Sequence, residues 1–545
     1  MENQLISYAY EKFESGAYDK ALEAFISVYQ KGYEQGWILK NIYNCYMVGN
    51  EDKFRETYML QGADAKIIYD DCLLDFIPYR DGEYFIFDKA KRVFLGIFSV
   101  PVLQKMKPNS IFDELEYSSA VLALDWDFRE ESDIFIKAKE RKIYIVCKDA
   151  ERCISFWKVP ELQEYLENVT LFFDFTDLQE FFHKNTAIHL PMIIRGGTQE
   201  SAILAKIREE EHQYRLTPEG RNIENVLLTI AIPTANRGNL LLKRLENLMS
   251  MPYDAEIEFV VSKNCSAAYE EEYKRASEIL DARLHYYDHG KDLLGYQNFH
   301  HAIEMSCGKY VLLVSDEDDV ILSSIEHYLK LLNSNPNISQ VRVKGKMNYH
   351  DIIVRKQGNS GIEALNLMFL KQNYISGFIV RKKDFTEDEF LMDSEILADN
   401  IFYQYYPHEC WSAVLSYRGD ALEEPVEFIS EGESVYGNNY FPAYATYEAR
   451  LEQLKGMIDF LHFIMRKDIE AAKEGLLRII GKIAYLLEMS REQKYDCDNY
   501  LEIIDHFKFI CIHAIESFSF NVNQREELLC FLDYCGEHAI ALHNL

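Results

Sequence analysis

Three apolar runs, broken only by Thr229 and Glu258 and each closing in short polar residues, mark the middle of the chain: Val226 to Ile232, Ile257 to Val261, and Tyr310 to Val314. Runs that are apolar at successive positions suit strands covered on both faces of a sheet. A helical pattern follows the first run, with Leu240, Leu241, Leu245 and Leu248 on one face, and another opens at Leu294–Phe299 and ends at Cys307-Gly308-Lys309. The first sixty residues carry helical spacing alone. From about residue 445 apolar positions again recur at helical spacing, in four segments with almost no strand signal, and their amphipathic stripe reads as core rather than membrane surface. The pattern predicts an α/β protein in four parts: 1–60, 61–215, 226–440 and 441–545. A polar stretch, Arg208 to Asn225, containing Pro218-Glu219-Gly220, supplies a linker before the third part.

Within the first part, Gly16, Tyr18, Ala21 and Phe25 form Gly-x-Tyr-x-x-Ala-x-x-x-Phe, and Gly49 with Phe54 returns 33 positions after Gly16. That spacing resembles a tetratricopeptide helix pair with a degenerate second copy, whose period is about 34 residues. Two copies are too few to stand alone, so the pair is expected to pack on a neighbouring domain, leaving a surface for a protein partner. In the second part Ser119–Asp125, Lys142–Cys147 and Val169–Phe175 read as buried strands. Ser132–Glu140 and Pro160–Glu167 read as helices between them. Asp125, Asp127 and Asp174 stand at strand ends, where they either cap helices or line a ligand site. No function follows for this small α/β domain.

At 545 residues the chain exceeds a single core. A net charge of −31 opposes a nucleic-acid partner, because a polyanion would be repelled. Met1-Glu2-Asn3-Gln4-Leu5 lacks the basic and apolar regions of a signal peptide, and no run approaches the ~20 apolar residues of a membrane span. Eleven scattered cysteines fit reduced thiols, and the expected location is the cytoplasm. Cys530, Cys535, His538 and His543 do not match zinc spacing and read as one face of an amphipathic helix.

The chemistry concentrates at the strand ends. Ser315-Asp316-Glu317-Asp318-Asp319-Val320 crowds carboxylates where a buried strand stops. Such a cluster suits either a divalent cation at the carboxyl edge of the sheet or an acidic helix start. Pro233-Thr234-Ala235-Asn236-Arg237-Gly238 joins a strand to a helix, the arrangement that offers N–H groups to an anion, and Arg237 adds a positive charge. Ser262-Lys263-Asn264-Cys265-Ser266 ends the next strand with short polar groups able to meet a nucleobase edge.

Read in order, Ile-Pro-Thr-x-Asn-Arg, Val-Val-x-x-Asn-x-Ser, Leu-Gly-x-x-Asn, Gly-Lys-Tyr and Asp-x-Asp-Asp-Val resemble a family 2 glycosyltransferase of the GT-A fold, closely over 226–325 and more loosely to about 440. The resemblance implies an inverting transferase using a nucleotide-diphosphate sugar with Mn2+ or Mg2+. It implies that Pro233, Thr234, Asn236 and Arg237 line the nucleotide pocket, with Asn264 near the base and Asn298 in the same region. Asp316 would approach the ribose or a metal-bound water, Asp318 would ligate the cation, and Asp319 would support it. Lys263 departs from the family, which usually carries there an acid that reads uracil; lysine offers no acceptor, so the expected UDP donor is less directly specified.

Tyr374 to Arg381 resembles the family's later strand, in which Ser376 and Gly377 either face the donor sugar and acceptor or permit close packing. Inversion requires a carboxylate base, for which Asp399 is the first candidate and Glu395 the second. His408 could complete the metal site or be a packed neutral side chain. Glu431-Gly432-Glu433-Ser434 reads as a loop able to close, and His300-His301 as structural. The expected activity is hexosyl or N-acetylhexosaminyl transfer to a hydroxyl on a glycan or protein. The alternative is a non-catalytic sugar-nucleotide-binding scaffold.

Overall fold

The computed structural model describes residues 2–32, 35–51, 57–59, 66–68, 72–100, 119–127, 142–265, 268–345, 352, 354–371, 374–393, 397–432, 443–465, 468–492 and 499–543. These fall in two compact units, Met1–Tyr214 and Arg215–Leu545.

The amino-terminal unit opens with α1 (Glu2–Glu14), α2 (Tyr18–Gln30) and α3 (Gln35–Gly49). Gly16, with φ +77°, makes the reversal between α1 and α2, and Gly49 comes so close to Tyr18 that a Cβ would sit 3.1 Å from that residue's own. Phe54 lies outside the described residues. A short antiparallel pair follows, β1 (Thr57–Met59) with β2 (Lys66–Ile68), and then a meander of β3 (Leu74–Arg80), β4 (Glu83–Asp88) and β5 (Val93–Ser99). Sequence reading did not resolve this meander, although Asp81-Gly82 is a hairpin signal and Gly82 adopts φ +68°. Alternation along the meander divides its faces. Ile77, Phe85 and Phe87 join Phe25, Ile38 and Ile42 of the helices, whereas Leu74, Phe76 and Ile86 join the cores of the strands that follow.

Those strands are β6 (Ala120–Leu124), β7 (Ile143–Cys147), β8 (Val169–Phe172) and β9 (Ile193–Arg195), all parallel in the order β8-β7-β6-β9. The expected helix at Pro160 is α4 (Pro160–Leu166); α5 (Phe175–Lys184) and α6 (Thr198–Arg215) complete the unit. Ser132–Glu140 lies outside the described residues. Asp174 caps α5, its carboxylate accepting from Asp177 N at 2.8 Å.

The second unit is built on β10 (Leu228–Thr234), β11 (Ile257–Lys263), β12 (Leu284–Asp288), β13 (Tyr310–Leu313), β14 (Asp319–Val320), β15 (Ile338–Gly345), β16 (Lys356–Gly358), β17 (Phe378–Arg381) and β18 (Asp420–Ser430). The sheet runs β12-β11-β10-β13-β17-β15-β18-β14, with β16 also on β18. β10 to β13 are mutually parallel, and β17 is antiparallel to both its neighbours. β10 and β13 are buried at every position, as their largely apolar pattern suits. Between strands lie α7 (Gly238–Met249), α8 (Glu270–Ser277) and α9 (Gly295–Glu304). On α7 the buried leucines are Leu241, Leu242, Leu245 and Leu248; Leu242 takes the place expected for Leu240.

Beyond the sheet come α10 (Pro407–Leu415) and the four expected carboxyl-terminal helices, α11 (Tyr447–Met465), α12 (Ile469–Glu492), α13 (Tyr500–Ser517) and α14 (Val522–His543). Their apolar faces do not form a core of their own. Leu454, Ile480, Phe507 and Leu528 belong to the same cluster as Trp411 of α10 and Val311, Leu313 and Phe378 of the sheet. No helix among the described residues is long and apolar enough to cross a membrane.

Candidate active site

Parallel strands place their carboxyl ends along one edge, and β10 and β13 bring Thr234 and the acidic loop together there. Thr234 Oγ1 donates to Asp316 Oδ2 at 2.6 Å and lies 2.9 Å from Tyr273 Oη on α8. The same tyrosine hydroxyl accepts from the Arg237 backbone N–H at 2.9 Å. Arg237, at the start of α7, extends Nη1 to 3.0 Å from Asp316 Oδ1 and 3.3 Å from Glu317 Oε2. Arg237 thus joins the acidic loop to the α7 start. Asn236 is exposed with φ +56°, turning the chain into α7, and Pro233 is buried inside β10. Arg244, about two turns further along α7, holds the loop from behind: Nη2 donates to the Glu317 carbonyl at 2.7 Å, and Nη1 pairs with Asp319 at 2.7 Å.

Asp318 is separately supported. Ser376 Oγ, in the turn two residues before β17, donates to its Oδ2 at 2.6 Å while accepting the Ser315 N–H at 2.7 Å. The Gly432 N–H, just past β18, approaches Oδ1 at 3.3 Å. Only glycine fits at 432, since a Cβ would fall 1.6 Å from the Glu317 carbonyl oxygen. Burial pushes both Asp316 and Asp318 above the usual carboxylate range; hydrogen bonds from Thr234 and Ser376, and the Arg237 charge beside Asp316, oppose it. An acid held partly against its preference for water is one that a cation would relieve.

The two asparagines brace the edge. Asn298, on α9, accepts from Ser262 Oγ at 2.7 Å and donates to the Thr234 carbonyl at 3.5 Å. Asn264 clamps the loop before α9, donating to the Leu293 carbonyl and accepting the Leu293 and Cys265 N–H groups at 2.7, 2.7 and 2.9 Å. Its carbonyl oxygen is therefore engaged within the chain. Lys263 pairs with Asp288 at 2.6 Å, its register partner on β12. The neighbouring strand thus places a carboxylate where Lys263 has none.

Of the other candidates, His408 is buried on α10 and lines a cavity of about 210 Å3 with Phe299, Tyr374, Ile375, Tyr405, Tyr406 and Tyr444. Tyr374 connects that cavity to the acidic loop by donating to Glu317 Oε1 at 2.7 Å. Asp399 is exposed in the turn preceding Ile401–Tyr405, a helix capped by Asn400; Glu395 lies outside the described residues. Among the described residues no three His, Cys, Asp or Glu side chains converge as a protein-only metal cage would require. Mg2+ and Mn2+ commonly take only one or two carboxylates and complete their shell with phosphate oxygens and water; Asp318 would be the carboxylate to offer such an ion. Tyr273, Arg244 and Tyr374 were missed in sequence as site residues: the two tyrosines read as ordinary core aromatics and Arg244 as part of a solvated helix face.

Residues 229–390 match the model of Glycosyl transferase family 2. The match begins in β10 and runs past β17, taking in Thr234, Asn264, Asn298, the Asp316–Asp318 loop and Ser376. It covers less than a third of the chain, and it supports the family 2 resemblance of this segment. No curated protein matches the chain. Among solved structures, S. aureus TarS is similar at 12% identity and TM-score 0.39, over 58% of this chain and 54% of TarS, about half of that protein. S. aureus TarS 1–349 in complex with UDP-GlcNAc gives 12% identity and TM-score 0.40, over 58% of this chain and 89% of the other. The mannosyltransferase PcManGT from Pyrobaculum calidifontis, in complex with GDP-Man and Mn2+, gives 12% identity and TM-score 0.32, over 67% and 96%.

Proposed function

We propose that residues 226–440 catalyse inverting transfer of a hexosyl or N-acetylhexosaminyl group from a nucleotide-diphosphate sugar, UDP-linked, to a hydroxyl acceptor in the cytoplasm. The observation that carries this reading is the family 2 match falling on a sheet edge where buried Asp318 is held by Ser376 and Gly432, beside the Thr234–Asp316–Arg237 cluster. A bound Mn2+ or Mg2+ would offset the charge that builds on the departing diphosphate.

Asp318 would hold the cation, and Ser376, donating to Oδ2, would fix the orientation of its carboxylate. Arg237 and Thr234 hold Asp316 at the adjoining position, so that the acids are spread by partners rather than left to repel one another. In this reading Asp288 supplies the acceptor for the nucleobase that Lys263 lacks, and Asn264 and Asn298 keep the loops beside the base in place and stand as its further candidate contacts. The aromatic cavity beside Tyr374 holds the acceptor. His408 lines that cavity and stands as the further metal-ligand candidate. The acceptor's proton goes to a carboxylate, with Asp399 and Glu395 as candidates.

The test is Mn2+-dependent UDP-sugar transfer or hydrolysis by wild type and Asp318→Ala; unchanged turnover in the variant removes the metal role. Lys263 favours a second reading, a sugar-nucleotide-binding scaffold without turnover. Calorimetry separates the two: nucleotide binding without any turnover supports the scaffold.

A further inference from the structure

The amino-terminal unit contains a second cavity, remote in sequence from the family 2 match. Its parallel sheet runs β8-β7-β6-β9, so the chain moves outward from β6 to β8 and then returns to the other side of β6 for β9. The crevice between β6 and β9 is a topological switch point, the place where open α/β sheets hold ligands beyond the carboxyl ends of their strands. A cavity of about 320 Å3 lies at that edge, lined by residues that follow all four strands. That volume is at the lower end of the range for ligand sites, about 300–1,000 Å3. Gly196 makes the crevice: its φ is +145°, and a Cβ would sit 3.0 Å from the Ala123 carbonyl oxygen, so only glycine lets the turn into α6 pass the end of β6. At Gly197 a Cβ would meet Glu200 Oε2 at 2.5 Å, so the glycine leaves room for that carboxylate at the cavity wall.

The lining has a definite chemistry. Lys148 Nζ lies 2.9 Å from Glu200 Oε1 and 3.5 Å from Asp125 Oδ1, with 60% of the lysine and 78% of the aspartate side chain exposed. Ion pairs this exposed add little stability, so holding the fold is a poor reason for the arrangement. Asp174 lines the same space with one oxygen engaged in capping α5. Phe173 stands on the rim, 47% exposed. Three carboxylates outweigh one ammonium and the roughly half positive charge of the α6 start, so a phosphate or nucleotide would be repelled. Carboxylates accept hydroxyl hydrogens, the ammonium donates to hydroxyl oxygens, and an aromatic face takes the C–H face of a pyranose ring.

We propose that this cavity is a binding site for a neutral saccharide, independent of the site at Asp318. The experiment is calorimetry on the full chain with glucose, galactose, mannose and N-acetylglucosamine, and with inorganic phosphate and UMP as the anionic arms. Wild type and Asp318→Ala are expected to bind at least one neutral sugar alike, and Phe173→Ala and Asp125→Asn each to weaken it by about tenfold or more with unchanged circular dichroism. The proposal is overturned if none of the four sugars binds, if both rim variants bind as wild type does, if Asp318→Ala abolishes the binding, or if only the phosphate-bearing probes bind at this cavity.

Discussion

Ser376 Oγ donates to Asp318 Oδ2 at 2.6 Å across 58 residues of sequence, and the same oxygen accepts the Ser315 N–H. One hydroxyl therefore ties the turn before β17 to both ends of the acidic turn. Ser376→Ala leaves a buried carboxylate and a backbone N–H without this partner, at about 1–3 kcal/mol each. Mn2+-dependent UDP binding is expected to weaken by about one to two orders of magnitude with the fold intact, as measured by calorimetry and circular dichroism.

Burial raises the proton affinity of Asp316 and Asp318 in the folded state. In the proposed activity a cation would compete with those protons, so metal-dependent donor binding should fall off, as pH drops, above the ordinary aspartate value of about 3.9. Ser376→Ala removes a group that opposes the shift at Asp318, and its acid limb should move to higher pH than that of wild type. A pH series of nucleotide affinities in both proteins reads this directly; coincident limbs would contradict the role given to Ser376.

The two glycines around Asp318 should respond differently to alanine. Gly377 has φ +92° and a Cβ there would meet Val343 Cγ2 at 2.7 Å. Gly377→Ala is expected to cost about 1–3 kcal/mol of stability. At Gly432 the obstacle is the Glu317 carbonyl, at the partly exposed end of β18. Gly432→Ala should displace the chain and lose the N–H to Asp318, lowering donor affinity while shifting the melting temperature less than Gly377→Ala does. Thermal melts paired with calorimetry distinguish the two outcomes.

Thr234→Val keeps the shape of the side chain but removes the hydroxyl between Asp316 and Tyr273. The loss is expected at about 1–3 kcal/mol, with weaker nucleotide binding and a further rise in the Asp316 pKa. If calorimetry finds nucleotide affinity unchanged, the cluster is structural only.

Glu409, beside His408 on α10, is fully enclosed, and burial pushes its carboxyl up to about 8, with Lys482, the Leu370 N–H and arginines 342 and 478 opposing. The unfolded chain releases this proton near pH 4.3. The folded state therefore holds a proton that the unfolded state has lost, a contribution present in full below the unfolded value and lost as pH rises through 8. Glu409→Gln keeps an acceptor for the Leu370 N–H, whose bond is 2.7 Å. Its melting temperature should match wild type near pH 4 and exceed it at pH 8, as scanning calorimetry would show.

Much of the second unit was legible because its central strands β10, β11 and β13 are buried on both faces, which writes them as largely apolar runs, and because the polar residues at their ends are contiguous in sequence. Thr234 and the acids 316 to 318 could be named for that reason. What remained hidden is what depends on non-local pairing: Tyr273 reads as a core aromatic on a helix, Arg244 as a solvated face, and the Lys263–Asp288 pair exists only because β11 and β12 align in register. The meander β3 to β5 was passed over since half-buried, aromatic-rich hairpins resemble neither clean alternation nor a helix. Asn264 shows the opposite difficulty: its amide, polar and well placed, is engaged in holding a loop.

The three leading helices cover one side of a β-meander through Ile77, Phe85 and Phe87. Deleting them would strip a greasy wall bare and invite precipitation, so a failed truncation at residue 60 would speak to solubility and not to whether those helices recruit anything.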